Sequence, residues 1–145
     1  MHPNVLEDRD AITELLAGTK RIAVLGIKTE AQEGAPAFYV PKWLVDRGLD
    51  VVPVPVYFPD AKTILGRPVY RSVADVPKPV DLVDVFRRSQ DLMPHLADLL
   101  AARPRAVWLQ QGIRDDVFAN LLAQAGIKVV QDRCLMVELR TRLTS

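Results

Sequence analysis

Five short runs rich in β-branched residues alternate along this chain with stretches whose apolar residues fall at helical spacing, and that alternation admits few folds. The runs are Ile22–Leu25, Asp50–Val56, Val80–Phe86, Ala106–Leu109 and Ile127–Val130. Strands that alternate with helices over short connections pair in parallel through right-handed crossovers. The expectation is an α/β fold: a Rossmann-like doubly wound parallel sheet of about five strands, with helices on both faces.

The helical stretches carry their own start and stop signals. Leu6, Ile12, Leu15 and Leu16 share a face in a first packing helix over about Val5 to Ala17, begun by Asp10 or an earlier acid and stopped by Gly18. Phe38, Val40, Trp43, Leu44 and Val45 trace a second, closed by Arg47-Gly48. Ser89 is placed to cap a third helix running through Leu92, Leu96 and Leu99 to Arg103-Pro104, and Asp115-Asp116 opens a fourth that ends at Gly126. Cys134 to Leu139 reads as a closing helical turn. Between the second and third strands, turn chemistry at Pro59-Asp60, Gly66 and Arg67-Pro68 surrounds a short extended piece at Val69-Tyr70, and Ser72 caps a short helix stopped by Pro77.

In open α/β sheets, ligands settle outside the carboxyl ends of the strands. Those ends deliver Gly26-Ile27-Lys28, Pro53-Val54-Pro55, Phe86-Arg87-Arg88, Gln110-Gln111-Gly112 and Asp132-Arg133-Cys134. This is a rim for binding, with cations suited to phosphate and an apolar ledge, and it lacks a histidine paired with a nucleophile. The two histidines, His2 and His95, lie in the amino-terminal tail and within a helical stretch, and they read as structural or solvated. With one cysteine and two scattered histidines, no metal-ligand cluster forms at useful spacing. Asp81 and Asp84, three apart on one strand, point to opposite faces and do not share a proton. Cys134 reads either as a thiol that Arg133 activates or as a small buried hydrophobe.

Composition narrows the partners. The 19 basic and 18 acidic residues leave a net charge of +1, which supplies no global field for nucleic acid or an anionic membrane. No signal peptide or spanning segment is evident at the amino terminus, and a lone cysteine suits a reducing compartment, so a cytoplasmic location is expected. A dinucleotide fingerprint is absent: Gly26 stands in the first glycine place, but Lys28 and Ala31 occupy the second and third, and the second strand ends in Pro53-Val54-Pro55 without a ribose-binding acid.

Val24-Leu25-Gly26, Tyr39-Val40-Pro41-Lys42-Trp43-Leu44, Pro53-Val54-Pro55, Val80 through Arg87, Val107 through Ile113 and Asp132 through Glu138, in that order, resemble the small stand-alone CoA-binding domain proteins of bacteria. Their fold is similar to the CoA-binding domain of the succinyl-CoA synthetase α subunit. The resemblance implies a single CoA-binding domain over residues 1–145, with residues 1–20 as an N-terminal packing helix, and coenzyme A or an acyl-CoA as cofactor. It implies that Gly26, Ile27 and Lys28 take the phosphates, that Val54 and Pro55 line the nucleotide, and that Val85, Phe86 and Arg87 form the opposite wall. Lys62, in the loop after the second strand, is a further phosphate candidate, and Tyr39, which opens the second helix facing the first loop, is the aromatic best placed to stack on the ligand. The sequence departs from the family pattern at Ile27 and at Ala35 before Pro36, where an arginine is usual, so Lys28 carries more of the phosphate contact.

The reading that follows is non-catalytic binding of CoA or acyl-CoA. Alternatives are a CoA- or nucleotide-dependent enzyme component (ligase, thioesterase or oxidoreductase) and a protein-interaction domain with a decayed nucleotide site. The expected partner is a small-molecule CoA ligand, with a protein partner or a second copy of the chain also open.

Overall fold

The computed structural model describes residues 1–143 and contains the expected parallel sheet. Its strands are β1 (Arg21–Leu25), β2 (Asp50–Val54), β5 (Leu82–Val85), β6 (Ala106–Leu109) and β7 (Lys128–Val130), in spatial order β2-β1-β5-β6-β7. All four pairings are parallel, with Ile22 opposite both Val51 and Leu82, and Val107 opposite both Val83 and Val129. Strands covered on both faces need apolar residues at every position, which is why these runs do not alternate with polar residues. The strand order reverses between β1 and β5, and this is where such sheets open a crevice.

Helices cover each face. Ile22, Val24, Leu82, Trp108 and Val130 pack beneath α1 (Arg9–Ala17), α2 (Pro36–Asp46) and α5 (Leu135–Leu143), through Ile12, Leu15, Phe38, Leu44 and Leu135. Ala23, Leu25, Val83, Val85 and Leu109 pack against α3 (Leu96–Ala102) and α4 (Asp116–Gln124), through Leu99, Phe118 and Leu122. None of the helices among the described residues is long and apolar enough to cross a membrane.

Asp84 interrupts the apolar pattern at the middle of β5. Its Cα lies opposite Val24 and Trp108, its side chain is fully buried, and neither carboxyl oxygen has a hydrogen-bond partner. Burial pushes its pKa well above the ordinary carboxylate value. Asp81, just before the strand, accepts instead from the N–H groups of Lys20 and Arg21.

Several boundaries differ from the sequence expectation for identifiable reasons. Asp8 caps α1, so the helix starts at Arg9, and Val5 is left to bridge Val129 beside β7. A single helix from Ser89 does not form. Pro94 has no N–H to offer the carbonyl of Gln90, and its ring would crowd that carbonyl, so the chain makes two 3₁₀ turns (Ser89–Asp91 and Met93–His95) before α3. Ser89 therefore does not cap a helix; its hydroxyl accepts from the N–H of Arg114. The piece expected at Val69-Tyr70 is a tight hairpin slightly earlier, β3 (Thr63–Ile64) and β4 (Arg67–Pro68), turned through Leu65 and Gly66 at φ 55° and 71°. From it, Arg67 donates to the carbonyls of Leu49 and Val51, and Tyr70 N–H donates to Pro53, covering the outer edge of β2. The closing turn extends into a full helix, α5.

Candidate functional site

At the carboxyl ends of the strands, the β1–β5 reversal opens a cleft of about 680 Å³. Gly26 makes this possible. Its φ of 87° lies in the left-handed region, and a Cβ there would collide with the carbonyl oxygen of Phe86. The ends of β1 and β5 can therefore approach closely, and Phe86 N–H donates to Leu25 across the gap at 2.8 Å.

The backbone donors of this loop are only partly available. Gly26 N–H donates to Val54 and Lys28 N–H to Ala37, at 2.9 and 3.1 Å. What faces the cleft instead is the start of α2. Ala35 provides no side-chain cap, Pro36 occupies the first turn, and Ala35, Pro36 and Ala37 all line the cleft. Pro36 has no N–H, and the N–H groups of Ala35 and Phe38 donate to the carbonyls of Gln32 and Ala35, so the first turn of this eleven-residue helix presents the Ala37 N–H and the positive end of its dipole to whatever lies in front of it. Lys28, exposed, stands beside it.

The opposite wall carries Arg87, and its guanidinium is held in place. Nε donates to His95 Nε2 at 3.1 Å, one amino group donates to the Tyr57 hydroxyl at 3.3 Å, and the guanidinium carbon lies 5.5 Å from the Tyr57 ring centroid. Arg88 differs: it is mostly exposed and forms an ion pair with Asp91 at 2.8 Å. Half-burial pushes the His95 pKa down, and the neighbouring Arg87 cation pushes it further in the same direction.

Tyr39, Val40, Val56, Phe58 and Phe86 make the cleft predominantly apolar, and Gln110, Gln111, Gly112 and Cys134 line its far end. Gln110 is fixed because its side-chain oxygen accepts from Leu135 N–H at 3.0 Å. Gly112 N–H is held by Asp132 Oδ1 at 2.6 Å. Among the described residues, no group of three His, Cys, Asp or Glu side chains is arranged to hold a metal ion.

Of the residues singled out from sequence, Gly26, Lys28, Tyr39, Phe86 and Arg87 come together in this cleft. Ile27, Val54 and Val85 have their side chains in the core, at 1% exposure each, so near the site they offer backbone alone. Pro55 lines a neighbouring cavity of about 290 Å³ with Arg71, His95 and Asp98. Lys62 is exposed just before β3 and lines neither cavity. Sequence reasoning missed Val56, Tyr57 and Phe58, although an aromatic pair directly after a proline-ended strand was a usable signal. It also left His95 out of the site.

A family model for a CoA binding domain matches residues 20–140. The chain belongs to that family. An uncharacterised Bacillus subtilis protein, YneT, is 31% identical over 126 residues, covering 87% of this chain and 90% of YneT. A Thermus thermophilus protein of known structure is 42% identical, with a TM-score of 0.84, over 93% of this chain and 98% of that one. PH1109 redesigned for binding superimposes with a TM-score of 0.85 at 29% identity, covering 99% of this chain and 97% of its own. This CoA binding domain chain thus shares both its sheet and nearly its full length with relatives of similar size.

Proposed function

We propose that this protein binds coenzyme A or an acyl-CoA in the switch-point cleft and acts as a binding or regulatory module without chemistry of its own. One observation carries the reading: the uncapped start of α2 opens on the cleft between two cations, Lys28 and Arg87, in a chain of the CoA binding domain family. The CoA pyrophosphate would sit at that helix start, where the Ala37 N–H and the helix dipole favour negative charge. Arg87 would meet a phosphate through its planar fork, and Lys28 as a point charge. The adenine would lie against Tyr57, Phe58 and Phe86, with Tyr39 beside it. The pantetheine arm would then run along the apolar wall toward Gln110, Gly112 and Cys134. Carried over from the sequence set, Ile27 would contribute backbone to the phosphate seat, Val54 and Val85 would support the two walls from beneath, and Pro55 would shape the loop behind the nucleotide. Lys62 would take at most a peripheral phosphate.

Calorimetric titration with CoA, acetyl-CoA, NAD and ATP tests this, alongside Lys28→Ala and Arg87→Ala. CoA or acetyl-CoA should bind more tightly than NAD or ATP, and each substitution should weaken it by roughly tenfold, the size of one charge-assisted hydrogen bond. Tight NAD binding without a CoA signal would sink the reading. Turnover of acetyl-CoA by the protein alone would replace it with an enzymatic one.

A further inference from the structure

Arg87 lies eight residues before His95, yet the 3₁₀ turns after β5 fold the chain back so that the two side chains meet. The imidazole accepts at Nε2, so its ring proton is on Nδ1 and the ring is neutral in this arrangement. With Nε on His95 and one amino group on Tyr57, the guanidinium is held at the cleft wall by two contacts. We propose that His95 is the positioning residue for Arg87, and that gain of a proton at His95 Nε2 releases the guanidinium and weakens anion binding in the cleft. The inference rests on the CoA-binding reading above for its ligand, though not for the His95–Arg87 contact itself.

The charged groups around His95 favour such a response. Arg87 faces it directly and Arg71 lines the same cavity. Asp91 and Asp98 are the nearby anions, but each is occupied: Asp91 accepts from Arg88 at 2.8 Å, and Asp98 from the N–H groups of Val73 and Ala74 at 2.8 and 2.9 Å. A proton on Nε2 converts the acceptor into a donor pointing at another donor, and the Nε contact must break. Half-burial and the adjacent guanidinium both resist that proton, so the change falls below the ordinary histidine value of 6.5. Between neutral and mildly acid pH the site would pass from a held arginine to a loose one.

Two measurements test this on the full-length protein. The first is CoA affinity from pH 7.5 down to pH 5 for the wild type, His95→Leu and His95→Gln. Leucine offers no acceptor, and binding at pH 7.5 should weaken by about tenfold. Glutamine can accept from Arg87 without titrating, so it should recover most of that loss while lacking the acid step. The phosphates of CoA titrate near pH 6 themselves; that contribution is common to all three proteins, and the readout is the difference between profiles. If His95→Leu binds like the wild type at pH 7.5 with an unchanged profile, the proposal is overturned. The second measurement needs no ligand: the Arg87 Nε–H resonance followed by NMR while His95 titrates. It should shift or exchange-broaden with the imidazole's own pKa. An Arg87 signal indifferent to His95 protonation overturns the positioning role even if CoA binds, whereas coupled titration without any CoA affinity supports the contact and removes only the ligand assignment.

Discussion

Replacing Asp84 by valine should stabilise this protein, an outcome opposite to that of most core substitutions. The carboxyl is fully buried in the centre of a five-stranded sheet, with no hydrogen bond to either oxygen. The indole N–H of its cross-strand neighbour Trp108 is already committed to the Arg133 carbonyl at 2.8 Å. A buried polar group without a partner costs roughly 1–3 kcal/mol by mutational measure. Valine has nearly the same shape, suits a strand flanked by Val83 and Val85, and removes that cost without leaving a void. For a chain of this length each kcal/mol shifts the melting midpoint by about 3 °C, so the expected gain is roughly 3–10 °C at pH 7. The pH dependence adds a second signature. A folded-state pKa raised above its ordinary 3.8 means the native state holds a proton the unfolded chain has lost, so the wild type loses stability as pH rises above about 4. The gap between variant and wild type should therefore widen from pH 4 toward pH 8. Calorimetric melting of both proteins across that range is the assay. A variant that melts lower than the wild type, or a gap that stays constant with pH, would show that the carboxyl has a stabilising partner and would refute the reasoning.

Three further outcomes are expected. Gly26→Ala should cost about 2 kcal/mol or more, since a left-handed backbone is combined with a clash on the Phe86 carbonyl, and it should abolish CoA binding; chemical denaturation and calorimetry check this. His95, whose folded pKa is depressed, favours the native state above its ordinary 6.5; that contribution should fade as pH falls below 6.5 in the wild type and be absent in His95→Gln, as read from denaturant midpoints. Arg67→Ala removes hydrogen bonds to the carbonyls of Val51 in β2 and of Leu49 just before it, and should lower stability by about 1–2 kcal/mol, with concentration-dependent light scattering rising as the strand edge is uncovered.

Sheet and helices were legible because the strands are buried on both faces and write short, mostly apolar runs, as in Val107-Trp108-Leu109, with Asp84 the one interruption inside a strand. The Thr63–Pro68 hairpin was not, because strands of two residues are too short for any periodicity to register. The helix expected from Ser89 failed on Pro94, a signal present in the sequence but outweighed there by the leucine spacing. Of the site, Gly26, Lys28 and Arg87 were legible because strand ends predict where ligands lie. Ile27, Val54 and Val85 adjoin them along the chain, but whether a side chain faces cleft or core depends on how the strand end twists, and theirs face the core. His95 was read as part of an amphipathic helix; its meeting with Arg87 depends on a fold-back that spacing alone does not encode.

Both borders of the sheet are occupied by the chain itself: Arg67 and Tyr70 close the β2 side, and Asn4 and Leu6 exchange backbone hydrogen bonds with Val129 on the β7 side, each at 2.8 Å. Copies of this protein could not pair strand to strand without first stripping away those segments. Extension of the five-stranded sheet by another chain is thereby blocked, and the cleft at the strand ends can change its contents without altering the sheet's borders.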